Sequence, residues 1–173
     1  MTDTYICEIA PKIKTILPFS LLILSNEKYN DLNARGYNQG KIKAYLHNQA
    51  ILHLLKKIET KEKPPRIIID QFAQKDVYYH YLKDAPKIAK NHVYFETKAE
   101  NKYLAVACGS LLARYAFLQK IEQMGKQWKM EIPKGAGAKV DQLAAKFIQK
   151  YGIENLGKVA KLHFANTEKA QKL

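Results

Sequence analysis

Three consecutive isoleucines, Ile67 to Ile69, stand between Pro64-Pro65 and Asp70, and no other stretch constrains the fold as tightly. The proline pair stops any helix before it, because proline lacks the amide hydrogen and clashes with the preceding turn. A β-branched run after such a break reads as a buried strand. Its last residue is then a carboxylate at a strand end. That charge is costly beside an apolar run unless it is compensated, and a bound cation is one compensating partner. A second carboxylate, Glu100, follows the strand-like run His92-Val93-Tyr94-Phe95 and opens a long helical pattern. Both carboxylates are thereby expected at one edge of a sheet, where α/β folds bind ligands.

The rest of the chain supplies elements to surround that edge. Residues 2–14 carry Ile6, Ile9 and Ile13 at helical spacing, with Thr2 or Asp3 as cap. Residues 16–24, ILPFSLLIL, read as an edge strand or strand start because of Pro18. Residues 25–40 are polar, with Asn30, Asn33 and Asn38, and read as a loop with a short helical turn. Residues 41–58 form a helical pattern with Ile42, Tyr45, Leu46, Ala50, Leu54 and Leu55 on one side. After the central strand, 66–70, come a short aromatic helix at 76–83, a strand at 91–95 and a long helix at 101–126. The first half of that long helix is apolar nearly all round, which predicts burial. A loop at 133–137 precedes helices at 140–151 and 154–162, and the polar tail, 164–173, is expected to fray. This alternation is that of an α/β fold, and the length predicts a single domain over 1–173.

Composition narrows the partner. With 29 basic and 16 acidic residues the net charge is +13, which favours a polyanion: nucleic acid first, an acidic membrane surface second. Ten lysines against four acids from Lys126 onward direct attention to a basic face in the C-terminal third. Cys7 and Cys108 make no close-spaced metal motif and fit a reducing compartment. Asp3 and Glu8 precede any apolar run, so no secretory signal is visible. The longest apolar span, 103–118, is short for a bilayer and contains Arg114. The expectation is a cytoplasmic protein with no membrane role.

Both carboxylates have plainer readings. Thr97-Lys98-Ala99-Glu100 matches a capping box, in which Glu100 accepts a backbone N–H. Asp70 fits a cap on the turn that leaves its own strand. The histidines His47, His53, His80, His92 and His163 lack metal-site spacing and read as packing or surface residues. The segment KGAGAK, 134–139, lacks the P-loop pattern; a flexible connector is the stronger reading, with Lys134 and Lys139 placed to lie against phosphates.

Five motifs narrow this further: GYNQGKIKAYLHNQA (36–50), IIIDQFAQKDVYYHYL (67–82), FETKAENKYLAVACGSLLARYAFL (95–118), IPKGAGAKVD (132–141) and AKLHFANTEKA (160–170). Together they resemble bacterial ribonuclease HIII, a type 2 ribonuclease H, over nearly the whole chain. The resemblance implies a ribonuclease H-like mixed sheet flanked by helices. It also implies cleavage of the RNA strand of RNA/DNA hybrids with Mg²⁺ or Mn²⁺ and four acidic residues. Asp70 corresponds to the third of these and Glu100 to the fourth. Two hard cations about 4 Å apart, held by carboxylate oxygens, can bind the scissile phosphate and activate water in line. Lys98 and Lys102 are candidates for backbone phosphates, with Asn33, Asn38, Lys41, Lys134 and Lys139 as further substrate-binding candidates. Discrimination of RNA from DNA rests on the 2′-OH and the A-like shape of the hybrid.

The sequence departs from the family in three ways. It has no adjacent acidic pair, whereas the family carries an Asp-Glu pair on its first strand. The family's small N-terminal domain has no counterpart, and Gly109 stands where a small alanine-like residue is usual. In the family's strand order, residues 16–24 take the place of strand 3 and 66–70 that of strand 4, so strands 1 and 2 are expected to be missing. The expectation is a fragment, monomeric or joined by a complementing N-terminal segment, with little activity alone. The alternative is a non-catalytic basic module that binds nucleic acid.

Overall fold

The computed structural model describes residues 2–58, 66–135 and 137–172. The proline pair at 64–65 lies outside them. The chain divides into two compact units, Met1–Leu22 with Asn38–Ala116, and Ile23–Tyr37 with Phe117–Leu173.

The first unit opens with α1 (Asp3–Ile16), which Thr2 caps by accepting the Tyr5 amide hydrogen at 3.3 Å. Asp3, in its first turn, pairs with Arg114 through both carboxylate oxygens, at 2.9 and 3.1 Å. The segment expected as a strand at 16–24 pairs with no strand among the described residues. Pro18 removes one ladder donor, and the apolar side chains there are turned outward: Leu17, Leu21 and Ile23 are all exposed. Helix α3 (Gln39–Lys57) begins at Asn38, whose Oδ1 accepts the Lys41 amide hydrogen at 2.8 Å.

The triple isoleucine forms β1 (Ile67–Asp70), as expected, and β2 (Val93–Glu96) pairs with it in parallel from Ile67↔Val93 to Asp70↔Glu96. Between them lies α4 (Lys75–Tyr81). The core packs Ala44, Ile69, Tyr78, Leu82, Ala89 and Val93 together. Tyr78 sits at its centre, with Phe72, Tyr79 and Phe95 edge-on at 6.0, 5.3 and 5.1 Å between ring centroids. The single buried polar residue among those described, Asn48, ties the 87–89 loop to α3. It donates to the Lys87 carbonyl at 2.8 Å and accepts from the Ala89 amide at 3.0 Å.

Helix α5 (Leu104–Trp128) runs from the first unit into the second. The expected burial does not occur. Only Leu112, Ala116 and Met124 are buried along it, and Leu104 is 81% exposed. An all-round apolar helix needs neighbours on every side, and among the described residues most of α5 stays intermediate or exposed. By length and composition α5 is also long and apolar enough to cross a membrane, which the shorter 103–118 span is not. A Cβ at Gly109 would meet open space.

In the second unit, residues 26–34 form α2 (Asn26–Ala34), a nine-residue helix where a loop with a short helical turn was the expectation. Ser25 caps it by accepting the Lys28 amide hydrogen, and Gly36, at φ +83°, closes its far end. Asn30, one of the asparagines that argue against a helix, is a residue that docks it. Asn30 donates to the Gly157 and Ala160 carbonyls at 3.0 and 2.9 Å and accepts from the Leu162 amide. Helix α6 (Ala138–Tyr151) brings Phe147 and Tyr151 against Trp128, with centroids 4.9 and 5.1 Å apart. A short turn and α7 (Leu156–Val159) replace the helix expected at 154–162. The segment expected to fray forms α8 (Ala165–Gln171), with Ala170 buried, and α8 packs on α6.

Candidate functional site

Asp70 and Glu96 end paired positions of the two parallel strands, so both stand at the C-terminal sheet edge. After Glu96 the chain turns through Lys98, whose backbone is left-handed (φ 52°, ψ 42°), into a 3₁₀ turn over Ala99–Asn101. Ala99 is fully buried, and its amide donates to Asp70 Oδ1 at 3.0 Å. Glu100 is the next residue. The two carboxylates singled out in the sequence are therefore joined through one backbone amide, and both side chains are exposed.

The plainer readings of these residues are not realised. The 3₁₀ turn carries no side-chain cap from Thr97 or Lys98, so no capping box forms. Asp70 accepts from a turn 29 residues away rather than capping its own. Lys102 ion-pairs with Glu96 at 3.1 Å at the same edge, and its side chain stays half-exposed. Lys98 is exposed beside the pair.

Other neighbours carry no obvious sequence signal. The His47 ring lies 4.9 Å from the Phe72 ring, and Lys43 sits over the same ring at 5.7 Å. Crowding by neighbouring atoms and the Lys43 ammonium hold the His47 imidazole below its ordinary range, while the charge of Asp70 pulls it up. The residue keeps an exposed side, which moderates the effect of crowding. The interaction with Asp70 puts His47 in the electrostatic field of the site, a relation between helix and strand that spacing alone does not reveal.

The remaining candidates fall elsewhere. Asn38 caps α3 and donates to the Tyr81 hydroxyl at 3.5 Å, and Lys41 lies in the first turn of the same helix. Asn33 donates to the Tyr37 carbonyl in the second unit. Lys134 also belongs to the second unit, as does Lys139, which is paired with Glu131 at 2.8 Å. Of the nine candidates, Asp70, Lys98, Glu100 and Lys102 are brought together.

A divalent cation of the hard class needs oxygen donors and keeps several waters. Asp70 and Glu100 offer two exposed carboxylates of that kind. Among the described residues no group of three or more His, Cys, Asp or Glu side chains is close enough to hold a metal. The donor set suits such an ion in kind and is incomplete in number.

The ribonuclease HII family matches residues 1–167. The chain belongs to that family. It is 50% identical over its full length to the ribonuclease HIII of Listeria monocytogenes serotype 4b (strain CLIP80459) and 51% identical to that of Bacillus mycoides (strain KBAB4). It covers 56% and 55% of those two proteins, so this ribonuclease HII-family chain spans about half the length of the curated relatives it matches. The fold superposes on Bst-RNase HIII in complex with Mn²⁺ with a TM-score of 0.96 at 41% identity, covering 99% of this chain and 56% of that one. The ribonuclease H2 from Pyrococcus horikoshii, at 18% identity and a TM-score of 0.72, shares the fold. The α/β, ribonuclease H-like architecture expected from the motifs is thus the one observed.

Proposed function

We propose that this chain is the part of an RNA/DNA-hybrid endonuclease that carries Asp70 and Glu100 as metal ligands. The observation that supports the reading is the Asp70–Ala99 hydrogen bond, which ties Asp70 to the turn whose next residue is Glu100, with both residues exposed. Membership of the ribonuclease HII family and the Mn²⁺ complex of a close structural neighbour support it. Mg²⁺ or Mn²⁺, when bound, would supply a Lewis acid for the phosphodiester and lower the pKa of an attacking water. The chain's own part is to hold oxygen donors at fixed positions and, through Lys98 and Lys102, to offer ammonium groups to backbone phosphates. Asn38 and Lys41 are proposed as further contacts, with Asn33, Lys134 and Lys139 in the second unit.

Two carboxylates are half of the set that the resemblance implies. The 173-residue chain is therefore expected to bind metal weakly and cleave little. A supplied segment bearing an acidic pair should restore cleavage, and the exposed apolar side chains Tyr5, Leu17, Leu21 and Leu104 of the first unit are the ones such a segment would cover. Without that segment the chain is taken to be a monomer in the cytoplasm. The test is cleavage of a labelled RNA/DNA hybrid with Mn²⁺ or Mg²⁺, with and without the segment. Asp70→Asn and Glu100→Gln should each lower the restored rate by about 100-fold or more, the scale of removing a group that stabilises transition-state charge. A rate unchanged by Asp70→Asn would refute the assignment.

The net charge of +13 favours a second reading, a non-catalytic module that binds nucleic acid. That reading requires affinity that falls steeply with salt, with no divalent requirement and no preference for hybrids.

A further inference from the structure

We infer that the left-handed turn at Lys98 is a positioning device for Asp70, acting through the backbone rather than through the lysine ammonium; this rests on the metal-site reading above. Lysine seldom adopts φ 52°, ψ 42°, because its Cβ crowds the following carbonyl. Here that conformation sits between the end of β2 and a 3₁₀ turn whose first residue, Ala99, is completely buried. Burial pins the turn, and further hydrogen bonds close it. The Lys102 and Tyr103 amides donate to the Ala99 carbonyl at 3.0 and 2.9 Å, and the Asn101 amide donates to the Lys98 carbonyl at 3.1 Å. The Gln71 amide meanwhile donates to the Glu96 carbonyl at 3.0 Å and fastens the strand end beyond Asp70.

With the turn fixed from both sides, one backbone N–H is left pointing at the carboxylate. Asp70 Oδ1 accepts it, and Oδ2 has no partner among the described residues. One oxygen of Asp70 is thus occupied in orienting the side chain, and the other is left to solvent on an exposed residue. Asp70 would then offer Oδ2 to a metal ion. A hydrogen bond to the non-ligating oxygen fixes the rotamer, as outer-sphere partners do in metal sites generally. Lys98 and Ala99 need not touch metal or substrate to act in this way.

The experiment compares Mn²⁺ binding to the parent chain, Lys98→Gly, Lys98→Val, Asp70→Asn and Glu100→Gln, read from the free-Mn²⁺ electron paramagnetic resonance signal. Glycine adopts the left-handed turn freely, so Lys98→Gly is expected to bind Mn²⁺ within about twofold of the parent although its ammonium is gone. Valine resists that conformation, and Lys98→Val is expected to bind about tenfold more weakly, the lower end of losses seen when an outer-sphere partner is removed. Parent-like binding by Lys98→Val, or a tenfold loss in Lys98→Gly, would overturn the inference. A second measurement does not depend on Lys98→Val folding. In Asp70→Ala, hydrogen exchange at the Ala99 amide should quicken about tenfold while the Lys102 amide is unchanged, since only the former loses its acceptor. Equal exchange at Ala99 in parent and variant would also overturn it. If Asp70→Asn and Glu100→Gln bind Mn²⁺ as the parent does, the metal-site reading itself has failed, an outcome separate from the others.

Discussion

The first unit packs a cluster of rings around Tyr78, whereas the second is tied together by asparagine side chains that reach backbone groups across the fold. Asn26 holds the Lys158 carbonyl, Asn30 spans 157–162, and Asn155 holds the Tyr151 carbonyl. Lysines add to this by lying over rings: Lys161 over Tyr29 at 4.4 Å, Lys150 over Tyr151 at 5.1 Å and Lys158 over Trp128 at 6.0 Å. The contrast teaches where each unit can carry function. An aromatic core beneath a two-stranded edge gives a rigid support for carboxylates, which suits a metal site. Polar docking with lysines laid along rings gives an exposed cationic surface. Net charge does not separate the two: the first unit has 16 basic and 9 acidic residues, the second 13 and 7. The C-terminal third, with ten lysines against four acids from Lys126 onward, is the more basic part, and three of those lysines are engaged with aromatic rings.

The comparison can be broken by substitution, with native-state hydrogen exchange reading each unit separately. The largest effect is expected at Asn48. Asn48→Ala leaves the buried Ala89 amide and the Lys87 carbonyl without their partner, and should destabilise the first unit by about 3 kcal/mol. A loss below about 1 kcal/mol would mean that the ring cluster holds the 87–89 loop without it. Next is Asn30→Ala, which removes three hydrogen bonds from a half-buried position and should cost the second unit about 2 kcal/mol. Protection lost equally in both units would contradict the division into separately held parts.

A smaller change runs in the opposite direction. The Tyr78 hydroxyl is buried with no hydrogen-bond partner among the described residues, and burial pushes its pKa well above the ordinary tyrosine value. Tyr78→Phe keeps the ring contacts and removes an unsatisfied donor, so it should stabilise the first unit by about 1 kcal/mol in a denaturant melt. Destabilisation would mean that the hydroxyl has a partner in solution.

The smallest effect concerns pH. The folded state holds His47 below its ordinary value, so between the two values the unfolded chain binds more protons. The stabilisation from neutral His47 is present above the unfolded value of about 6.5 and is lost as pH falls through it. Thermal melts from about pH 7.5 down to 5.5 should show a declining melting temperature. The decline should be shallower in His47→Gln and steeper in Asp70→Asn, which lacks the opposing pull of the carboxylate.

The triple isoleucine and the Pro-Pro break marked β1, helical spacing marked α1, α3 and α6, and Asp70 and Glu100 were legible because each stands where one periodicity gives way to another. The polar docking of α2 was not legible. Its asparagines weaken local helix preference, and their compensation comes from carbonyls more than 120 residues away. The same holds for residues 16–24, whose strand-like composition has no neighbouring strand among those described, and for α5, whose apolar surface stays mostly exposed. Sequence, then, determined the types of several elements and pointed to two carboxylates as candidates, because hydrophobic period and residue chemistry are local. Tertiary structure alone decided that a backbone amide of one turn would fix the carboxylate of another strand, because that contact depends on strand register and on the left-handed turn at Lys98.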